Sequence, residues 1–544
     1  MTSLIPRRPL AAMLTVLLAV FTGGCARPDR WGFLQPDYPS RVPKEETRAL
    51  PETEEFRPRV TGEPMFALPA GGVADLSVEQ AILLVLQNNS DLQVRQLNPV
   101  IAGTFERIER GKYDPELFAE LEYKTDRSKE TAASTGTGFS VEGREAAGIA
   151  GIRQAFPTGT TVEATVEQER TVSDRTPELQ AARVGLSVTQ SLLRGFGPAV
   201  NLVSVRQAEL DTVASAYELR GFSEALLANT ETTYWNYVLA RLEIETFERS
   251  LAVARQQRDE VELRIEVGIL PEIEAAASRA QVASQEQALI DARSLLEENR
   301  LRLLQLISPG SRDQLDLGIN ATSEPTIEPA PIIDLADRLQ LAEQSRPDLN
   351  EARLRLAQNR METIATRNGL LPRLDLFIAL GRTGFADTIS DSFRSLDGNT
   401  HDFTAGIRLS HFLGNRAAEA KYLAARASRR QAAEAVDNLR QMVRVDVRLA
   451  FNEVERARQQ IFATKATRTL REETLNAEKE RFDVGASTAL LVAQAQRDLL
   501  SSSIDEVKAI VSYRIALVRL YLAEGSLLER RGVRLPAGET GDRL

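Results

Sequence analysis

Between Gly414 and Gly485 the chain contains neither glycine nor proline over 70 residues. Those two residues are the ones that break helices, glycine through backbone entropy and proline through its missing donor and its ring. The run therefore predicts a single helix of about 105 Å at ~1.5 Å per residue. Ala199–Val267 forms a second stretch of the same kind, free of proline and interrupted only by Gly221. Each stretch ends in Val-Gly and is followed by a shorter helical segment, Glu272–Leu306 and Thr488–Ala523. Helices of this length do not fit inside a compact core; they form a coiled coil or the staves of a tube. Many of their apolar positions are alanine, as in AEAKYLAARASRRQAAEA at 418–435, which lets neighbouring helices approach on more than one side.

The two breaks are nearly the same phrase, RIEVGILPE at 264–272 and RFDVGASTA at 481–489. Other echoes surround them. LQNNSDLQVRQL at 86–97 is answered by AEQSRPDLNEARL at 342–354, with Leu92 matching Leu349 and Pro115 matching Pro372 at an offset of 257. GLSVTQSLLRG at 185–195 is answered by GIRLSHFLG at 406–414 at an offset of 221, and Gly268 by Gly485 at 217. The chain reads as two repeats, 76–310 and 335–525, separated by a connector, 311–334, that holds the proline-rich EPTIEPAPI, and followed by a tail, 526–544. The shrinking offset means that the first repeat carries about 40 extra residues between its Pro and Gly landmarks.

Short alternating segments precede the long helices. Leu374, Leu376, Ile378 and Leu380 share one face, as do Phe403, Ala405, Ile407 and Leu409. In the first repeat Leu117, Ala119, Leu121 and Tyr123 alternate with Glu120, Glu122 and Lys124, and Val184, Leu186 and Val188 lie opposite Arg183, Ser187 and Thr189. Period-2 patterns with one apolar face suit a half-buried sheet or a transmembrane barrel equally. After the N-terminus no run of ~20 apolar residues occurs, so a membrane span would have to be a closed β-barrel. The extra residues are expected to form a further hairpin, GIAGIRQAFPTGTTVEATVEQ at 148–168, turning at Pro157-Thr158-Gly159 and flanked by long polar loops at 125–147 and 171–181.

At the N-terminus Arg7 and Arg8 precede the apolar run Leu10–Phe21 and then Thr22-Gly23-Gly24-Cys25. This is the layout of a signal peptide, here 1–24, and Cys25 stands where a lipoprotein signal places the cysteine that takes the lipid. An ordinary secretory signal cleaved nearby fits the same run. Ala26 in place of an acid points a lipidated product to the outer membrane. Residues 25–75 hold eight of the chain's 23 prolines, which predicts an extended lipid-anchored tether. A net charge of −10 argues against nucleic acid as a partner, and two histidines with one cysteine leave little for a metal or Cys/His site. His401 and His411 sit near expected strands and Trp235 and Tyr237 in a long helix, where packing accounts for them. No acid/base or nucleophile cluster suggests an enzyme.

The duplicated order of helix, strand pair, very long helix, Val-Gly break and return helix resembles the TolC-like outer-membrane efflux protein family. The similarity runs from about Leu76 to Gly525, and its most specific parts are the R-x-[ED]-V-G breaks, the segments ASRAQVASQEQAL and LLVAQAQRDLL, SRPDL, and SLLRGFG. It implies an α+β, mainly α, membrane protein: a homotrimer whose strands join in one shared transmembrane β-barrel, continued by a long periplasmic α-helical barrel. It also implies a passive exit duct of a tripartite efflux pump or type I secretion system, with no cofactor, partnered by a periplasmic adaptor and an inner-membrane transporter. The family pattern has four strands per protomer; six here would give eighteen, unless the extra hairpin lies outside the membrane. By the same resemblance, Arg264, Val267, Gly268, Ile269 and Leu270 form one periplasmic tip and Arg481, Val484, Gly485, Ala486 and Ser487 the other, where the adaptor docks. The candidate gate is Glu274, Leu490, Leu491 and Gln494, with closure expected from the leucines rather than from a ring of acids. A periplasmic coiled-coil adaptor or structural lipoprotein is the alternative, against which the duplicated strand pairs argue.

Overall fold

The computed structural model describes residues 72–533 except 132–135, 137, 175–176, 308–314, 326–328 and 333. The signal segment, Cys25 and the tether as far as residue 71 lie outside the described residues.

The long runs without breakers are helices. In chain order the elements are β1 (Val73–Leu76), α1 (Val78–Asn88), α2 (Ser90–Gly111), β2 (Glu116–Thr131), β3 (Gly138–Ala155), β4 (Thr160–Ser173) and β5 (Leu179–Ser191). There follow α3 (Val203–Glu266), α4 (Ile273–Ile307), β6 (Gly318–Ala321), α5 (Leu335–Ser345), α6 (Pro347–Asn368), β7 (Arg373–Ala386), β8 (His401–Ser410), α7 (Arg416–Asp483) and α8 (Ala489–Glu524). With 64 and 68 residues, α3 and α7 are continuous helices of about 100 Å. α4 folds back along α3 and α8 along α7, and α8 also packs on α3. The first helix is capped by Ser77, whose side chain accepts from the Gln80 amide while Gln80 reaches back to the Ser77 amide, a reciprocal capping box.

Six strands form one antiparallel sheet in the order β2-β3-β4-β5-β7-β8. The hairpin of β3 and β4 is thus part of the main sheet, paired on both sides along its length. Its flanks differ from the expected loops: β2 runs on to Thr131 and β3 begins at Gly138, with Thr125–Thr131 in register against Gly138–Arg144. Polar side chains do not end a strand when both faces meet water, because the ladder still satisfies the backbone. The same holds at β4 and β5, which reach Ser173 and Leu179.

The register sorts the sheet's two faces. Leu117 is opposite Ile152, Val166 opposite Val184, Leu186 opposite Leu380, and Leu376 opposite Ile407, an apolar face that is substantially exposed. The other face is polar: Arg183 binds Asp402 (2.8 Å) and Glu167 (3.4 Å), and Arg153 binds Glu163 (2.9 Å). On that polar face Phe377 lies over Gly406, where a Cβ would come within 2.6 Å of the ring, which explains a glycine inside an otherwise good strand.

The sheet joins the helices at one end. Asn201 donates to the Pro157 carbonyl (2.9 Å) and the Gly195 carbonyl (2.8 Å), and the Gly195 amide donates to Asn368 (2.7 Å). The β3–β4 turn is therefore pinned beside the SLLRGFG passage, so the inserted hairpin returns the chain to the end from which it left.

Three sequence expectations need correcting here. Val73–Asp75, placed in the tether, belong to β1, and the connector holds β6; the two pair in parallel, Val73 with Gly318 to Leu76 with Ala321. Leu76, the last residue of β1, is buried. This small ladder sits in the largest core, where the Tyr234 hydroxyl donates to the Leu76 carbonyl (2.9 Å) and accepts from the Ser323 amide (3.1 Å). Trp235 and Tyr237 are buried in the same core. Finally, the tail begins with a packed segment: Leu527 and Leu528 are buried, and Arg531 makes a two-point ion pair with the buried Glu231 (2.7 and 2.6 Å).

Candidate functional site at the two helix turns

The repeated R-x-[ED]-V-G phrase is a helix C-terminus written twice. Gly268 and Gly485 both have φ +78°, the left-handed conformation that a helix stop requires and that glycine adopts without penalty. The Ile269 amide donates to the Arg264 carbonyl (2.8 Å) and the Gly268 amide to the Ile265 carbonyl (2.9 Å). In the second copy Ala486 donates to Arg481 (2.7 Å) and Gly485 to Phe482 (3.0 Å). Both are Schellman motifs, in which two otherwise orphaned carbonyls are satisfied by the amides after the break. The valine caps the helix, the acid closes its last turn, and the arginine carbonyl receives the bond from the residue just after the glycine.

Around this shared backbone the side chains differ. Arg264 leaves its own tip and binds Asp483 of the other (2.8 Å), while also holding Glu260 one turn back (2.6 Å). Its guanidinium stacks over the Phe482 ring at 5.1 Å. These hydrogen bonds, that to Asp483 foremost, hold the Arg264 proton more firmly than in a free arginine. Arg481 instead reaches Glu478 on its own helix (2.8 Å), and Ser487 donates to the same carboxylate (2.7 Å). Arg264 is 24% exposed and Arg481 59%.

Glu274 is half-buried and accepts from the Ala489 amide at the start of α8 (3.0 Å), so it is a strut between the two tips. Carboxylates are favoured at such helix N-termini. Leu270 packs onto a small core of Val261, Phe482, Ala489 and Val492. Leu490 and Leu491 are exposed beside Thr488, which caps α8, and Gln494 is exposed one turn further on. The caps of the turns are apolar and open: Val267 is 60%, Ile269 70% and Val484 80% exposed, and Ala486 is exposed beside them. An exposed apolar patch ringed by charge marks a surface that contacts another molecule. The motif's spacing singles out its arginines and glycines; it carries no sign that Asp483 and Phe482 of one copy receive Arg264 of the other. Glu260, four residues before Arg264, and Glu478, three before Arg481, are the partners that helical spacing alone could have named.

Residues 338–526 match the family described as "Outer membrane efflux protein". The chain is 25% identical over 322 residues to the outer membrane protein TolC of Escherichia coli (strain K12), covering 56% of this chain and 62% of that protein. The matched segment thus spans less than two thirds of TolC. It is 24% identical over 344 residues to the outer membrane efflux protein BepC of Brucella suis biovar 1 (strain 1330), covering 63% of this chain and 72% of that one. In fold it is similar to the crystal structure of the Campylobacter jejuni CmeC outer membrane channel, with a TM-score of 0.62 at 17% identity over 83% of this chain and 86% of that chain. Together with the fold and the paired turns, these likenesses make the chain similar to TolC-like outer-membrane efflux proteins, with residues 338–526 matching that family itself.

Proposed function

We propose that the chain is one protomer of a homotrimeric outer-membrane duct that carries substrates passively from an inner-membrane transporter, through a periplasmic adaptor, to the outside. The observation that carries this reading is the sheet: one apolar and one polar face, with β2 and β8 as edges that pair on one side only among the described residues. An open six-stranded sheet with an exposed apolar face is incomplete, and closure into a barrel removes both edges. Three copies give eighteen strands, with lipid against Leu117, Leu186 and Ile407 and water against Arg183 and Asp402. Strands of 10 to 18 residues suffice to span, since about 9–11 are needed.

A second support lies in the helices. α6 is held between α3 and α7, whereas α2, its counterpart in the first repeat, has its extensive contacts with α3 alone. On α2 the row Val94, Leu97, Ile101, Phe105 and Ile108 is exposed at coiled-coil spacing. A neighbouring α7 would cover it, closing the helices into the periplasmic tube. In this reading Cys25 carries the lipid anchor, the open apolar turns (Val267, Ile269, Val484, Ala486) receive the adaptor, and Leu490, Leu491, Gln494 and Glu274 narrow the mouth. Energy comes from the transporter, and the duct performs no reaction.

Fractionation of the expressed chain tests this. Recovery in the outer membrane as a trimer that resists detergent until heated is expected. A soluble monomer would overturn it.

A further inference from the structure

The two faces of the six-stranded sheet stay distinct where the apolar belt ends. Counted from the end joined to the helices, Tyr123 is the eighth residue of β2 and Phe403 the eighth from the end of β8. Both stand exposed on the apolar face, at 70% and 55%. From the tenth position onward cations take over that same face. Arg382 is the tenth residue of β7, Arg170 the eleventh of β4 and Arg127 the twelfth of β2, and Arg144 is the twelfth from the end of β3. The register places them there: Arg382 lies opposite Val184, Arg144 opposite Thr125, and Arg170 shares a row with Tyr123 through Ala146. At the same level Asp126, Glu145 and Glu169 lie on the other face. Charges present only for solubility would mix both signs on each face. Here the sign follows the face.

Two of the outward cations are already matched, Arg127 by Glu142 (3.2 Å) and Arg170 by Glu178 (2.6 Å). Arg144, and Lys129 two residues beyond Arg127, are exposed and have no ion pair among the described residues. Over β5 and β7 the face is covered by the short helix Ile389–Arg394, whose Ser392 donates to Gln168 (3.3 Å). The open part of the rim is therefore β2 to β4. About 9–11 residues of a tilted strand cross the hydrocarbon, so the aromatic pair stands at the far interface and the cations just past it, level with lipid headgroups. Beyond them β2 and β3 run on together, with Thr125, Thr131 and Ser140 on the outward face. A phospholipid headgroup ends near the cations, whereas a sugar headgroup continues alongside this polar ladder.

We propose that the rim of β2 to β4 binds the phosphorylated glycolipid of the outer leaflet, its phosphates on Arg144 and Lys129 and its sugar hydroxyls along the ladder; on the duct reading above, this end of the sheet faces the outside. The whole trimer in mild detergent, titrated with lipid A and read by native mass spectrometry, tests this. Each Lys or Arg at an anionic lipid surface contributes about fivefold in affinity, so Lys129→Gln/Arg144→Gln is expected to bind lipid A about 25-fold more weakly per site, with the trimer's resistance to heat unchanged. Lys124→Gln, on β2 but facing the other way, is expected to bind as the parent does. Lipid A stripped of its phosphates, and phosphatidylglycerol, are each expected to bind at least about tenfold more weakly than lipid A. Parent-like binding in the double variant, or equal binding of phosphate-free lipid A, overturns this inference and leaves the duct reading standing. Phosphatidylglycerol bound as tightly as lipid A overturns the glycolipid as the occupant. A chain that stays monomeric overturns both readings.

Discussion

The clasp between the turns can be tested by removing Arg264. Its guanidinium makes two partly exposed ion pairs, with Asp483 and Glu260, and one ring contact with Phe482. Pairs of this exposure contribute about 0.2–1 kcal/mol each, and an exposed cation–π contact about 0.5–1. Arg264→Ala should therefore cost the paired turns about 1–2 kcal/mol, which corresponds to roughly 5–30-fold more frequent local opening. Hydrogen exchange of peptides spanning 262–272 and 480–490 reads that opening directly, because the Gly268, Ile269, Gly485 and Ala486 amides are held by the turn bonds. Exchange should quicken at both tips, including the one that was not altered. Asp483→Ala should give a smaller effect, and the double variant should fall short of the sum by about 0.5 kcal/mol, the coupling of a partly exposed pair. Arg264→Lys keeps the charge and loses the planar stack, so it should fall between parent and alanine. Strict additivity of the two alanine variants, or quickened exchange at the first tip alone, would show that Arg264 does not link the turns.

Other residues give further tests. Glu224 is buried on α3 beside Arg220 (3.2 Å), and burial, outweighing that arginine, lifts its carboxyl from 4.5 to about 7. The folded chain thus binds this proton more tightly than the unfolded one, a contribution complete below about pH 4.5 and lost as pH rises through 7. Glu224→Gln should melt higher than the parent at pH 8, by no more than about 3 kcal/mol, and level with it at pH 5; the reverse ordering would refute the assignment. Gly525 has φ +66°, and a Cβ there would lie 2.9 Å from the Arg346 Cα, whereas at Gly268 nothing lies within 4 Å. Gly525→Ala should therefore cost about 2–4 kcal/mol in thermal unfolding and Gly268→Ala only about 1. Tyr234→Phe removes the hydroxyl's two bonds, to the Leu76 carbonyl and from the Ser323 amide, that bridge β1 and the segment after β6, and should cost about 1–3 kcal/mol, with faster proteolysis at the start of α1 as the sign that the ladder has loosened.

What could be read in the sequence divides along a physical line. The long helices are legible because the property that permits them, the absence of Gly and Pro from 415 to 484, is local and cumulative. The turns are legible for the same reason: a left-handed stop needs glycine at one position, and the chain supplies it twice. β1 and β6 are not legible, since four residues are too few to establish a period and their pairing joins positions 245 apart. The polar ends of β2 and β3 are missed because alternation reports burial on one face, and a strand bathed on both has none to report. The tip clasp belongs with these non-local features. Arg264 and Asp483 are both written in the motif, but no spacing says whether an arginine meets the acid of its own turn, of the other turn, or of another copy. The structure answers differently for the two: Arg264 meets the acid of the other turn, whereas Arg481 turns back to Glu478 on its own helix.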